Sequence, residues 1–171
     1  IYNNYIFTAG RLTKQKNFEF LIKSFPDLLK IKKNINLIIA GEGEQKNYLN
    51  NLINELQLKD NIKLIGHSND IIGLMKNSFC FISTSLWEDP GFVLIEAVTS
   101  RTTVISSSCK NGPSEILLNG EGGYLYETNN KKDLIEKFFE FCNNHDNSSK
   151  EIFNKKRNAF KKIKIYSNFQ H

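Results

Sequence analysis

Two bases and two acids carry most of the chemistry this sequence offers: Arg11 and Lys16 near its beginning, Glu88 and Glu96 in the stretch WEDPGFVLIEA. Seven residues separate the two glutamates. Glu88 falls in a turn ahead of a helix-like segment, and Glu96 about one and a half turns inside that helix. A helix start presents unsatisfied backbone N–H groups and the positive end of the dipole, a natural anion site. Carboxylates beside it accept charge-assisted bonds from hydroxyls, worth roughly 1.5–3 kcal/mol each. A guanidinium adds a planar fork of donors and an ammonium a mobile point charge, and the two together can neutralise a diphosphate. A ligand bearing both phosphate and hydroxyl groups suits this set. Plainer roles exist for each residue. Arg and Lys near a helix start are usually solvated. Glu88 could simply complement the helix dipole, and Glu96 could be a surface glutamate, although Ile95 and Ala97 beside it favour a buried, ligand-facing place.

The elements that must position these residues can be read in order. Tyr5 to Ala9, Asn36 to Ala40, Ile62 to Ile65, Phe79 to Ile82, Thr103 to Ser106 and Gly123 to Tyr126 read as short strands. Between them, helical spacing covers 16–30, 45–58, 70–76, 91–100, 114–118, 134–142 and about 151–163. Pro26 inside the first of these marks a place for a kink or a break. Short apolar strands alternating with helices predict a Rossmann-like α/β domain, a doubly wound parallel sheet of six strands with helices on both faces. Such sheets bind ligands beyond the carboxyl ends of their strands. Gly10-Arg11, Gly41-Glu42-Gly43, Gly66-His67, Ser83 to Glu88 and Ser107 to Pro113 all follow strands, so the site is expected on that one edge. Gly41-Glu42-Gly43 lacks the remaining residues of a phosphate loop and reads as a tight turn beside the site.

WEDPGFVLIEA resembles the signature of the retaining, nucleotide-sugar-dependent glycosyltransferases of family four, which have the GT-B architecture. The resemblance runs from GRLTKQKN at residues 10–17 to GGYLYE at 122–127. It implies that residues 1–171 are a single donor-binding C-terminal domain and that the N-terminal, acceptor-binding domain lies outside this chain. Arg11 and Lys16 would then grip the donor diphosphate and stabilise the leaving group. Glu88 would orient the transferred sugar, Glu96 would accept bonds from the ribose hydroxyls, and His67 would lie in the base pocket. Gly10, Gly91, Phe92 and Val93 would complete the donor site, with backbone amides of the last three facing the phosphates. Where relatives often have Phe-Gly, this chain has Pro90-Gly91, and a proline offers no N–H. Arg101 stands where most relatives have Gly or Asn, at a helix exit that favours a left-handed residue. The asparagine-to-isoleucine run 111–116 (NGPSEI) resembles members that assemble polysaccharides, with Glu115 a first-turn helix charge.

The implied reaction moves a sugar from a UDP- or GDP-sugar to an acceptor hydroxyl with retention, in cell-surface polysaccharide or lipopolysaccharide assembly. No cofactor and no metal are expected, since no acidic pair or His cluster is present to hold one. The expected partners are the nucleotide-sugar, a glycan or lipid-linked acceptor, and the missing domain, without which the chain should transfer sugar poorly. A nucleotide-sugar hydrolase or epimerase on the same scaffold is the alternative enzyme. A nucleic-acid-binding module is the alternative from another class.

The net charge of +5 motivates that last alternative, but Lys, Asn and Ile are abundant throughout and no basic strand is interleaved with aromatics. Only Lys155-Lys156-Arg157 and the run Lys161-Lys162-Ile163-Lys164 form a local cluster. Such a cluster suits either a solvated helix face or peripheral contact with an anionic membrane. Three cysteines, Cys80, Cys109 and Cys142, have no metal-ligand spacing, and their odd number argues for a reducing, cytoplasmic setting. Cys80 lies in an apolar strand and reads as a core residue. The sequon Asn147-Ser148-Ser149 is expected to be idle there. A first residue that is Ile1, directly before a strand, is what a piece of a longer chain would show.

Overall fold

The computed structural model describes residues 4–147 and 150–168, so the last two residues of the sequon lie outside the described residues. The strands are β1 (Tyr5–Ala9), β2 (Asn36–Ala40), β3 (Ile62–Gly66), β4 (Cys80–Ser83), β5 (Val104–Ser107) and β6 (Tyr124–Tyr126). They form one parallel sheet in the order β3-β2-β1-β4-β5-β6. The helices are α1 (Phe18–Ile31), α2 (Lys46–Glu55), α3 (Ile71–Lys76), α4 (Phe92–Thr99), α5 (Pro113–Ile116), α6 (Lys131–Asp146) and α7 (Lys150–Asn168).

The strands are apolar on both sides because both sides are covered. Successive residues alternate between faces. Ile6, Leu37 and Ile39 join the core under α1, α2 and α6, with Phe18, Leu21, Leu49 and Phe138. Tyr5, Phe7, Ile38 and Ala40 join the core on the opposite face, with Met75, Leu94, Ile116 and Ala159 of α3, α4, α5 and α7. Cys80 is fully buried in the first core, and all three cysteines are free and buried.

Several elements differ from expectation. Lys14–Lys16 form a short 3-10 turn, and Asn17, left-handed at φ 54°, separates it from α1. Lys16 is therefore in the loop and outside the helix. Pro26 neither breaks nor divides α1. Leu21, Ile22, Phe25 and Leu28 are completely buried along one stripe, and that packing on either side of the proline outweighs the bond it removes. Helix α6 starts three residues earlier than its apolar period suggests, because the Asn130 side chain caps it by accepting from the Asp133 N–H at 3.1 Å.

The basic cluster is only partly a solvated face. Lys155 Nζ donates to the carbonyls of Gly120 (2.7 Å) and Gly123 (3.3 Å) and lies 4.8 Å from the Tyr124 ring centre. Burial lowers the pKa of the Lys156 ammonium. Burial also pushes the Tyr124 hydroxyl up to about 12, partly offset by the bond it accepts from Asn144 at 3.1 Å. Arg101 is left-handed at φ 62°, and its guanidinium lies 3.5 Å from the Phe160 ring centre, tying the exit of α4 to α7. Among the described residues no helix is long and apolar enough to cross a membrane.

Candidate functional site

The chain grows outward from β1 in one direction through β2 and β3, and in the other through β4. Connections leaving β1 and β4 therefore diverge to opposite faces, and a crevice opens above the join. Two loops line it, residues 10–17 after β1 and 84–91 after β4. They are stitched together: the Leu86 N–H donates to Gln15 O (2.8 Å), Gln15 Nε2 to Trp87 O (2.9 Å), and the Thr84 hydroxyl to Lys16 O (2.9 Å).

At the centre of this seam Lys16 Nζ donates to both carboxylate oxygens of Glu88 at 2.8 Å. The Ser85 hydroxyl donates to Glu88 Oε1 at 2.5 Å, and Ser85 is itself held by its carbonyl, which accepts from Ser107 Oγ at 2.7 Å. Glu88 is only 4% exposed, so its charge depends on these partners. An ammonium has three donors, and two are used here. One N–H of Lys16 remains for a ligand. Cys109 lies close enough to feel both charges; burial pushes its thiol up, a hydrogen bond with Ser107 partly offsets this, and Glu88 adds a smaller upward push.

The floor on the other side is backbone packed on backbone. Gly10 N–H donates to Ala40 O (3.0 Å), Gly41 N–H to Gly66 O (2.7 Å) and Leu12 N–H to Glu42 O (2.8 Å). Gly41 has φ 143°, and a Cβ there would lie 1.9 Å from the Gly10 carbonyl oxygen. The Gly41-Glu42-Gly43 turn thus lets the loops after β1 and β2 touch, as its reading as a tight turn required.

Above this floor lie two adjoining cavities. One, of about 590 Å³, is lined by Arg11, Lys16, Glu88, Gly91, Phe92 and Val93 among others. The second, of about 260 Å³, includes Gly10, Arg11, His67, Val93 and Glu96 in its walls. Arg11 and Val93 line both, so the two cavities share a wall. Every donor-site candidate named from the sequence (Gly10, Arg11, Lys16, His67, Glu88, Gly91, Phe92, Val93 and Glu96) lines one or both of these cavities. Two differ in setting from what was expected. Glu96 is exposed rather than buried, because its side of α4 faces the smaller cavity and not the sheet. Glu88 is no loose dipole charge but half of a buried ion pair.

Thr13, Lys14, Gln15, Glu44, Trp87 and Asp89 also line the larger cavity and went unrecognised in the sequence. Their position beside Arg11, Lys16, Gly43 and Glu88 was the available signal. With them, three bases (Arg11, Lys14, Lys16) face three acids (Glu44, Glu88, Asp89). A wall so balanced offers donors to phosphate and acceptors to hydroxyls together. The positive end of α4 adds to the donors, since Gly91, left-handed at φ 86°, turns the chain into the helix at the cavity wall.

Known proteins are similar to this chain in sequence and architecture. An uncharacterised glycosyltransferase of Methanocaldococcus jannaschii is 46% identical over 108 residues, covering 63% of this chain and 27% of that protein. The N-acetylgalactosamine-N,N'-diacetylbacillosaminyl-diphospho-undecaprenol 4-alpha-N-acetylgalactosaminyltransferase of Campylobacter jejuni is 31% identical over 166 residues, covering 95% of this chain and 44% of that protein. A mutant of TarM from S. aureus, solved with fondaparinux, alpha-GlcNAc-glycerol and UDP, superposes with a TM-score of 0.84 at 25% identity, covering 94% of this chain and 32% of that one. The chain thus spans less than half the length of each of these relatives. The sequence model of the family Glycosyl transferases group 1 matches residues 2–163, and this chain belongs to that family.

Proposed function

We propose that this chain is the donor-binding half of a retaining glycosyltransferase that moves a sugar from a UDP- or GDP-sugar to a hydroxyl of a glycan or lipid-linked acceptor. One observation carries the proposal: Arg11, Lys16 and Glu88, far apart in sequence, line one cavity at the carboxyl edge of the sheet, and Arg11 also lines the adjoining cavity with Glu96. Arg11 lies where the two cavities meet and contacts the diphosphate. The remaining N–H of Lys16 and the first amides of α4 complete the neutralisation as charge builds on the departing phosphate. Glu88, held by Lys16 and Ser85, accepts from the hydroxyls of the transferred sugar. Glu96 takes the ribose hydroxyls and His67 lies beside the base in the smaller cavity. The acceptor enters from the side that a second domain would close, and the chain alone transfers little sugar. The N-acetylgalactosaminyl transfer carried out by the Campylobacter jejuni relative and the UDP in the TarM structure support this assignment.

A panel of nucleoside diphosphates read by thermal shift tests it. One of them should raise the melting temperature, because a ligand at a hundred times its Kd adds about 2.7 kcal/mol. No shift with any nucleotide at millimolar concentration would sink the proposal.

The exposed bases of α7 support a reading of the enzyme's setting. Lys150, Arg157 and Lys161 are exposed along one side of this helix. We place that stripe against the anionic inner face of a membrane, each base contributing about 1 kcal/mol. The chain should sediment with phosphatidylglycerol vesicles and stay in solution with phosphatidylcholine. Equal sedimentation with both would remove the membrane contact.

A further inference from the structure

Trp87 is the single tryptophan of the chain and is 49% exposed on the wall of the larger cavity, next to Glu88 at 4%. Its main chain is held on both sides. Gln15 Nε2 donates to its carbonyl at 2.9 Å, it bridges to Lys110, and the Glu88 N–H donates to Lys110 O at 3.1 Å. Phe92, 67% exposed, lines the same cavity. Large apolar rings on an immobilised backbone leave surface in water that burial would stabilise. Diphosphate and sugar hydroxyls are served by Arg11, Lys16, Glu88 and the start of α4. None of those ligand groups suits the face of an indole.

A pyranose ring does. Its hydroxyls point outward around the rim while one face presents C–H groups, which carry partial positive charge and meet the negative face of an aromatic ring. Depth decides which sugar this is. A transferred sugar bound to Glu88 lies at the buried level of the cavity, and Trp87 stands one residue further out, towards solvent. The next sugar ring encountered is that of the acceptor. We propose that Trp87 is the stacking platform for the acceptor sugar and sets which acceptors are used. This rests on the donor-site proposal above and adds the acceptor's chemistry, a pyranoside, to it.

The fluorescence of Trp87 reports on its own ring. The chain is first saturated with the nucleoside diphosphate that stabilises it most, then titrated with a panel of methyl glycosides and short oligosaccharides. A saturable change in emission is expected with a subset of the glycosides. By calorimetry, Trp87→Ala should weaken that glycoside by roughly tenfold or more and the nucleotide far less. Trp87→Phe, which keeps a ring, should recover most of the affinity. The proposal is overturned if nucleotide binds but no glycoside alters the emission, or if Trp87→Ala binds glycoside as the parent does. It is equally overturned if a nucleotide-sugar alone produces the whole change, which would give the ring to the donor. Failure of every nucleotide to bind removes the donor site itself, a result distinct from these.

Discussion

Replacing Lys16 by methionine is expected to destabilise the fold by about 3 kcal/mol and to remove nucleotide binding. The size follows from burial. The Lys16 side chain is 16% exposed and that of Glu88 5%, so water offsets the lost ammonium only in small part. Ser85 alone would remain to hold the carboxylate, with one hydroxyl bond at 2.5 Å. Changing both partners separates the two roles of the pair. In Lys16→Met with Glu88→Gln no buried charge is left, and stability should return to within about 1 kcal/mol of the parent. Nucleotide binding should stay lost, because the donor to phosphate is still missing. Urea midpoints at constant m-value measure the first effect and calorimetry the second. A single variant that unfolds at the parent's midpoint would show that the pair is worth no more than a surface contact. In an enzyme containing this chain, Lys16→Met should lower turnover by roughly 10²–10³.

Gly41→Ala is expected to be as damaging, by at least about 3 kcal/mol, through sterics alone. The added Cβ would sit 1.9 Å from the Gly10 carbonyl oxygen, and neither partner is a side chain that can swing away. The loops after β1 and β2 must part, and Gly10 and Gly41 both line the smaller cavity, so nucleotide affinity falls with stability. Gly120→Ala is the control. Gly120 also has a positive φ, 104°, yet nothing lies within 4 Å of a Cβ built there. Its replacement should cost only the backbone strain, about 1 kcal/mol. Thermal unfolding of the two variants side by side checks the difference. Equal losses would mean that the close approach of the two loops matters no more than strain.

The fold was legible where chemistry is local. Runs such as Asn36–Ala40 are short, apolar on both faces and closed by Gly41, which only a strand buried in a covered sheet requires. The edge that holds the site was legible for the same reason, since Gly10 and Gly41 each follow a strand and Gly66 ends one. Side-chain partnership was not. Lys16 and Glu88 are 72 positions apart, and nothing in either segment's period says that they touch. Ser85 is invisible as a positioning residue for a similar cause: its value depends on Ser107, which arrives with the next strand. Pro26 misled because local propensity argues for a break, whereas the buried stripe of α1 is a tertiary fact. Lys155 misled because it sits in a run of bases, Lys155-Lys156-Arg157, that reads as a solvated face, while its own ammonium is taken up by two carbonyls 32 and 35 positions away.

The strand order has a last consequence. β1 is laid down first, and β2 and β3 extend the sheet away from one of its edges, leaving the other edge unpaired until β4 arrives. The sheet is therefore two wings meeting along a central suture between β1 and β4, and Lys16 with Glu88 crosses that suture above the strands. A guest seated there clasps both wings at once. Its departure should loosen the suture before either wing, so occupied and vacant forms are expected to differ most in how firmly the halves of the sheet are joined, which amide hydrogen exchange across β1 and β4 would read.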